Sequence, residues 1–361
     1  MAQITLTYCI IFALLLGGCN AANSAPPVTS DKTVADSSES YPQFGRIVAL
    51  DPSLAEHIEL DAKVEKLAEG FWWSEGPTWD TKRDQLYFTD VPQNKMFTWS
   101  EQDGLKTFMD PSGVNPDGLS PEVRAHENEL GINGTWMTPE GELLMASHGA
   151  RTVERLNLTT KTRVTHIQNY KGQAFNSPND LVLAKNGDLY FTDPPYGLKD
   201  QDSSAQKELS FNGVYRLSAA GELSIVDKSQ TRPNGIALSP DEQFLYVTNS
   251  DEKRSKIMRY SRQGDSYGNG EIWLDTQADL DSGLQGNPDG LVVAANGIVY
   301  CTGPGGVLVI APDGKLLGRI MVGHNPMGKK TANTTLGGPD GKTLYMTSHD
   351  TLARVRVKSG R

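Results

Sequence analysis

The chain has only three cysteines in 361 residues, Cys9, Cys19 and Cys301, too few for a disulfide-stapled scaffold. Two of them fall within the first nineteen residues, so the remainder carries a single thiol and cannot form an internal bridge. Cys301 reads as a small buried apolar residue, because no side chain near it in the sequence would activate it as a nucleophile. Basic residues are also scarce, with 34 Lys and Arg against 44 Asp and Glu, a formal net charge of −10. That balance argues against a nucleic-acid partner, which needs clustered Lys and Arg to meet phosphate. Long apolar runs are missing too. The one conspicuous run, Ile4 to Leu16, falls short of the roughly 20 residues that cross a bilayer as a helix.

That run ends in Leu16-Gly17-Gly18-Cys19, small residues ahead of a cysteine. Residues 1–19 resemble a bacterial lipoprotein signal peptide, in which Cys19 becomes the lipidated first residue of the mature protein. The stretch before the run departs from the pattern in having no Lys or Arg, and an ordinary secretory signal cleaved near Ala21 or Ala22 is the alternative. Both routes export the chain, to the bacterial periplasm or to the outer membrane as an anchored lipoprotein. A lipid on Cys19 is the only membrane contact expected. Residues 20–42, rich in Ser, Ala, Pro and Asp, bury too little to offset ordering and read as a flexible tether. Residues 43–358 are expected to form one folded body.

Within that body six segments repeat: DQLYFTD around Tyr87, GELLMAS around Leu144, GDLYFTD around Tyr190, QFLYVTN around Tyr246, GIVYCTG around Tyr300 and KTLYMTS around Tyr345. Each is a turn followed by an alternating strand, and successive anchors lie 57, 46, 56, 54 and 45 residues apart. Such a period is about one four-stranded blade, which predicts an all-β, six-bladed β-propeller. Lys63 to Ala68 is expected to pair with Leu352 to Val357 and close the ring, removing two exposed edges.

A second pattern rides on the first. Glu75, Asn133, Asn179, Asn234, Asp289 and Asn333 precede their anchors by 12, 11, 11, 12, 11 and 12 residues. All six end in side-chain oxygens, and a propeller brings equivalent positions to one axis. Asn-Gly and Asp-Gly are turn formers that would recur in any repeating fold, but glutamate is not, and Glu75 holds the same place. A ring of inward carboxylate and amide oxygens suits a hard cation, and the axis is read as a central divalent-metal site for one Ca²⁺, with Mg²⁺, Mn²⁺ and Zn²⁺ as alternatives.

The strings SEGPTW at Ser74 to Trp79, NSPNDLVLAKNGDLYFTDPPYGL at Asn176 to Leu198, RPNGIALSPDEQFLYVTN at Arg232 to Asn249 and NPDGLVV at Asn287 to Val293 resemble the gluconolactonase family, which includes senescence marker protein 30. The resemblance runs blade by blade over the whole body. It implies a calcium-dependent hydrolase of lactones, with metal ligands at Glu75, Asn234 and Asp289. Asn179 would be a fourth ligand or contact substrate beside the metal.

The expected reaction is the opening of a lactone of a sugar acid by water, the carbonyl polarised by the cation. The resemblance favours Asp289 as the base that takes the water's proton. His148, in a segment similar to the family's His-Gly-x-Arg, is the other candidate base, or a packing residue. Asn133, Asn179, Arg151 and Tyr196 are the candidate substrate-binding residues. Ala174 stands where many relatives carry a basic residue, which puts gluconolactone itself in question. Phe175 and Tyr196 offer either a stacking surface or plain packing. The insert from Asp110 to Leu130 is expected to form a lid, with Asp117 as a turn residue, and Lys199 to Leu209 a rim loop. The alternatives are an organophosphate or phosphoester hydrolase on the same site and a non-catalytic extracytoplasmic binding propeller. Nothing in the sequence sets the oligomeric state.

Overall fold

A computed structural model describes residues 41–361; the expected signal peptide, Cys19 and most of the expected tether lie outside the described residues. The described residues form six antiparallel blade sheets, five of four strands and one of five, with a two-stranded ribbon at Asn169–Tyr170 and Gln173–Ala174 between blades 2 and 3. Blade 1 runs from Ser74 to Met109, blade 2 from Ile132 to Ile167, blade 3 from Leu181 to Asp227, and blade 4 from Pro233 to Asp275. Blade 5 begins at Leu291 and ends at Val322, and blade 6 takes three strands between Asn333 and Arg356. The six-bladed propeller expected from the repeat is the fold observed.

The alternation within each repeat explains why the blades stack. In the second strand of blade 1, Leu86 and Phe88 pack with Tyr345 and Leu352 of blade 6. Tyr87, between them in sequence, points the other way and packs with Leu143 and Met145 of blade 2. The same division recurs around the ring: Tyr190 packs with Leu245 and Val247, Tyr246 with Val299 and Cys301, and Tyr300 with Leu344 and Met346. A strand buried on both faces needs apolar residues at odd and even positions alike, and the repeated Leu-Tyr-x-Thr supplies them. Cys301 is fully buried in one of these interfaces, and burial raises its thiol pKa, in keeping with a packing role.

Closure follows the expected route. Glu65–Glu69 pairs antiparallel with Thr351–Arg356, Glu65 opposite Arg354, and the two side chains form an ion pair at 2.7 Å. A second N-terminal strand was not foreseen. Gly45–Ala49 adds a fifth strand to the outer edge of blade 5, with Gly45 opposite Val322 and Ala49 opposite Gly318.

The inner strands carry the axial residues, and hydrogen bonds between blades fix where these sit. The threonine of the repeat does much of this. Thr89 Oγ1 donates to the carbonyl of Asn133 at 3.0 Å, Thr192 Oγ1 to that of Asn234 at 2.6 Å, and Thr302 Oγ1 to that of Ala332 at 3.0 Å, each in the next blade. In blade 2 alanine replaces this threonine, and the carbonyl of Asn179 is held instead by the amide of Gly134 at 2.7 Å. The acidic or amide residue after the threonine ties down its own blade's entry loop. Asp90 accepts from the amides of Trp72 and Trp73, Asp193 from Asn176 and Ser177, and Asn249 from Arg232.

Gly134 shows how close the blades come, since a Cβ there would lie 2.5 Å from the carbonyl oxygen of Asn179. Gly134→Ala is therefore expected to destabilise the protein by about 3 kcal/mol through overpacking. A melt within a degree of the parent would show that blades 2 and 3 are not locked at this point.

Candidate active site

Five of the six axial residues, Glu75, Asn133, Asn179, Asn234 and Asp289, line a cavity of about 760 Å³ that opens on one face of the ring. Glu75, Asn133, Asn179 and Asn234 are buried, and Asp289 is half-buried with its Oδ1 inaccessible. In blades 1, 2 and 4 the strand register breaks where they stand, between Glu75 and Thr78, Ile132 and Thr135, and Pro233 and Ile236. Such bulges bend a strand and re-aim its side chains, which here turns polar groups toward the axis. The sixth, Asn333, stands behind the cavity wall and reaches both Glu75 and Asp180 with its side chain.

Asp180 was not foreseen as a site residue. It is a buried carboxylate, the third at the axis, accepting from the amides of Leu181 at 2.9 Å and Ile236 at 3.3 Å. Glu75 accepts from Trp73 Nε1 at 3.1 Å and from the amide of Gly76 at 3.2 Å. Burial, and then the charge of Asp180, push Glu75 up to about 7. Burial likewise pushes Asp180 up to about 7. Asp289 is raised well above the usual carboxylate range by burial first, then by the charges of Glu75 and Asp180. Among the described residues none of the three has an ion-pair partner, although Arg232, Lys253 and Lys330 line the same cavity.

The amides complete the picture. Asn234 gives its Nδ2 to Ser250 Oγ at 2.9 Å, and Ser250 Oγ donates to the carbonyl of Pro288 at 2.5 Å. Tyr196 also lines the cavity, with its hydroxyl near Ser250 and Asn234; burial and the charge of Asp289 raise its pKa, so it stays a neutral hydroxyl. Asp289 Oδ1, Asn133 Oδ1 and Asn287 Oδ1 are buried without any hydrogen-bond partner. Unpaired buried acceptors beside crowded carboxylates are costly unless a cation or donor meets them. Among the described residues no three His, Cys, Asp or Glu side chains converge as a metal-binding group. The converging set is instead mixed carboxylate and amide oxygen, which is the donor chemistry of a hard divalent cation.

Two expected residues are placed elsewhere. The His148 side chain is fully buried and does not line the cavity; its Nδ1 lies 2.8 Å from Glu129 Oε2 and its Nε2 3.3 Å from Asn133 Nδ2. Both ring nitrogens are thus engaged by protein groups, an arrangement that suits the packing alternative for His148 more than the role of base. Arg151, expected to bind substrate, is also absent from the cavity wall. Its Nε donates to the carbonyl of Phe175 at 2.5 Å, and its charge acts on the half-buried Glu127, which burial pushes up to about 7. Phe175 is core, packed edge-on against Phe191 and Tyr215.

The two loops behave as their composition suggested. The insert carries a short helix at Pro121–Arg124 and a turn at Pro116–Gly118 in which Asp117 is exposed, and it brings Asn128 and Glu129 to the cavity wall. The loop after blade 3's second strand adds Gln201 and Asp202, both bonded to Arg232. Trp73, unforeseen, forms part of the wall and packs edge-on against His349.

The comparisons with known proteins agree with this fold. The model of the SMP-30/Gluconolactonase/LRE-like region matches residues 73–350. A gluconolactonase from Zymomonas mobilis is 36% identical over 341 residues, 94% of each chain. Among solved structures, one described as a gluconolactonase from Xanthomonas campestris superposes with a TM-score of 0.73 at 26% identity, covering 88% of this chain and 97% of that one. A regucalcin from Agrobacterium tumefaciens, described as calcium-binding, shares the fold with a TM-score of 0.62 at 20% identity, covering 82% and 94%.

The crowding of carboxylates has a pH signature. Groups raised from about 4 when unfolded to about 7 when folded stabilise the fold fully below the unfolded value, and that stability is lost as pH rises through 7. In chelator, the melting temperature is expected to fall between pH 5 and pH 8, and Asp180→Asn to flatten the fall. An equal slope in both proteins would mean that Asp180 is not part of a coupled cluster.

Proposed function

The chain belongs to the SMP-30/gluconolactonase/LRE-like family, and from that premise we propose that it is an enzyme hydrolysing the lactone of a sugar acid in the axial cavity. The observation that carries the reading is the set of buried oxygens converging there, three of them without partners in the protein. Glu75, Asn179, Asn234 and Asp289 would hold one divalent cation, with calcium favoured by an all-oxygen donor set. Such a cation, when bound, supplies Lewis-acid polarisation of a substrate carbonyl.

The chain's own residues account for the rest. Asp289 lines the cavity, carries an unpaired Oδ1, and takes a proton from the attacking water as the water oxygen bonds to the lactone carbon. The ring C–O bond then breaks, and the ring oxygen leaves as a hydroxyl after receiving a proton. Tyr196, a neutral hydroxyl in the wall, is a hydrogen-bond donor for a substrate oxygen. Asn133 and Asn179 offer amides to sugar hydroxyls, and Trp73 fixes the Glu75 carboxylate from one side. The cavity volume falls within the range of small-molecule sites, about 300–1,000 Å³. Export, with lipid on Cys19, rests on the sequence of residues 4–19 alone.

The test is proton release from a panel of aldonolactones and simple lactones. The wild type is expected to open at least one sugar lactone, with activity lost in chelator and restored by calcium. Asp289→Ala is expected to lower turnover by at least about a hundredfold, the scale of a lost base. Failure on every lactone, with the cation still bound, would return the reading to phosphoester hydrolysis or a binding platform.

A further inference from the structure

Glu129 arrives at the site from the insert, and its position is built rather than incidental. The amide of Asn128 donates to the carbonyl of Gly197 at 2.8 Å, and Val114 donates to Leu130 at 3.0 Å. Leu130 then lies flush against the turn after His148, where a Cβ on Gly149 would stand 2.8 Å from the Leu130 backbone. The amide of His148 donates to Gly131 at 3.1 Å, and Gly197 packs so tightly on the other side that a Cβ there would lie 3.0 Å from His148 Cβ. The imidazole is thus held rigidly between the insert and the loop that carries Tyr196.

With the imidazole neutral and Asn133 Nδ2 the amide atom nearest Nε2, the hydrogen bonds around that ring have one arrangement. A carboxylate oxygen 2.8 Å from Nδ1 requires the proton on Nδ1. In the neutral ring Nε2 is then an acceptor, so Asn133 must turn its amide NH₂ toward it, at 3.3 Å. That leaves Asn133 Oδ1 turned away from the imidazole, where it is buried without a partner in a residue that lines the cavity. An asparagine alone could rotate its amide by half a turn and offer NH₂ in place of oxygen.

We infer that Glu129 and His148 are positioning residues: together they lock the Asn133 amide so that its oxygen, not its nitrogen, accepts a hydroxyl of the sugar substrate. The inference rests on the proposed lactone hydrolysis and adds to it a role for the insert, which delivers the residue that orients the site. Substrates carrying a hydroxyl donor at that point are favoured over lactones lacking it.

Glu129→Gln is nearly isosteric but pairs with either tautomer, so it releases the lock without emptying the space. With D-glucono-1,5-lactone it is expected to raise KM about tenfold, the worth of one hydrogen bond, with kcat within about threefold. Adding Glu129→Gln to Asn133→Ala is expected to change nothing further, because the lock would have nothing left to orient. Full additivity in that cycle would overturn the inference. So would a loss of about a hundredfold or more in kcat at unchanged KM in His148→Gln, the mark of a group acting on the reacting atoms. If Glu129→Gln melts early, Glu129→Asp, which keeps the charge but shortens the reach, takes its place with the same expected direction. Binding of 1,5-anhydro-D-glucitol, which has the ring hydroxyls and no carbonyl, separates this inference from the proposed activity. Weaker binding by Glu129→Gln supports the lock even if no lactone is opened, and equal binding contradicts it.

Discussion

Glu75, Asp180 and Asp289 lie within reach of one another at the propeller axis, the first two buried and the third half-buried, and no cationic side chain among the described residues pairs with them. Burying carboxylates is expensive, and burying them side by side more so. The fold meets part of that cost with amide donors from Gly76, Leu181 and Ile236 and with the indole of Trp73. The rest is left as unpaired oxygen and raised pKa values. Almost everything else in the molecule serves to hold this arrangement: two-faced strands stack the blades, and repeat threonines clamp the backbone that carries the axial residues. A site of this kind is stable only in partnership with something positive or proton-donating.

Much of this was legible because a propeller converts sequence period into spatial convergence. The distance of 11 or 12 residues between each axial residue and its anchor is one inner strand and one turn, so five cavity residues could be named without coordinates. The ring closure was legible for a similar reason, since an alternating last strand needs a partner and the chain start supplied one. Asp180 escaped because it lies one position past the periodic one. The signal was present, for blades 1, 2, 4 and 5 carry glycine there and blade 3 carries an acid. Glu129 had no such signal: it belongs to an insert outside the repeat, and only the fold brings it to His148. That His148 and Arg151 stand off the cavity wall was not legible for a related reason, as sequence shows that a residue follows a strand at the mouth but not whether a neighbouring loop covers it. The strand Gly45–Ala49 is short and finds its partner only through tertiary pairing.

The division of labour between ring and loops follows. The blades fix the oxygens at the axis, which suits the chemistry shared across the family, while the insert and the loop carrying Gln201 and Asp202 shape the wall above them. Loops can vary without disturbing the ring, because the clamps on the axial residues come from strands and their entry turns. On the proposed function, substrate preference would then depend on residues 110–130 and 199–209 more than on the repeat.

The central claim, that the axial carboxylates and amides form a cation site, is tested most directly by calorimetric titration of calcium into chelator-stripped protein at pH 7, repeated in buffers of different ionisation enthalpy. Carboxylates whose pKa values are raised by burial, and for Glu75 and Asp289 by neighbouring carboxylates as well, must release protons when a cation enters. The account predicts binding with roughly one to two protons released per cation. No binding, or binding whose heat is the same in every buffer, would contradict it.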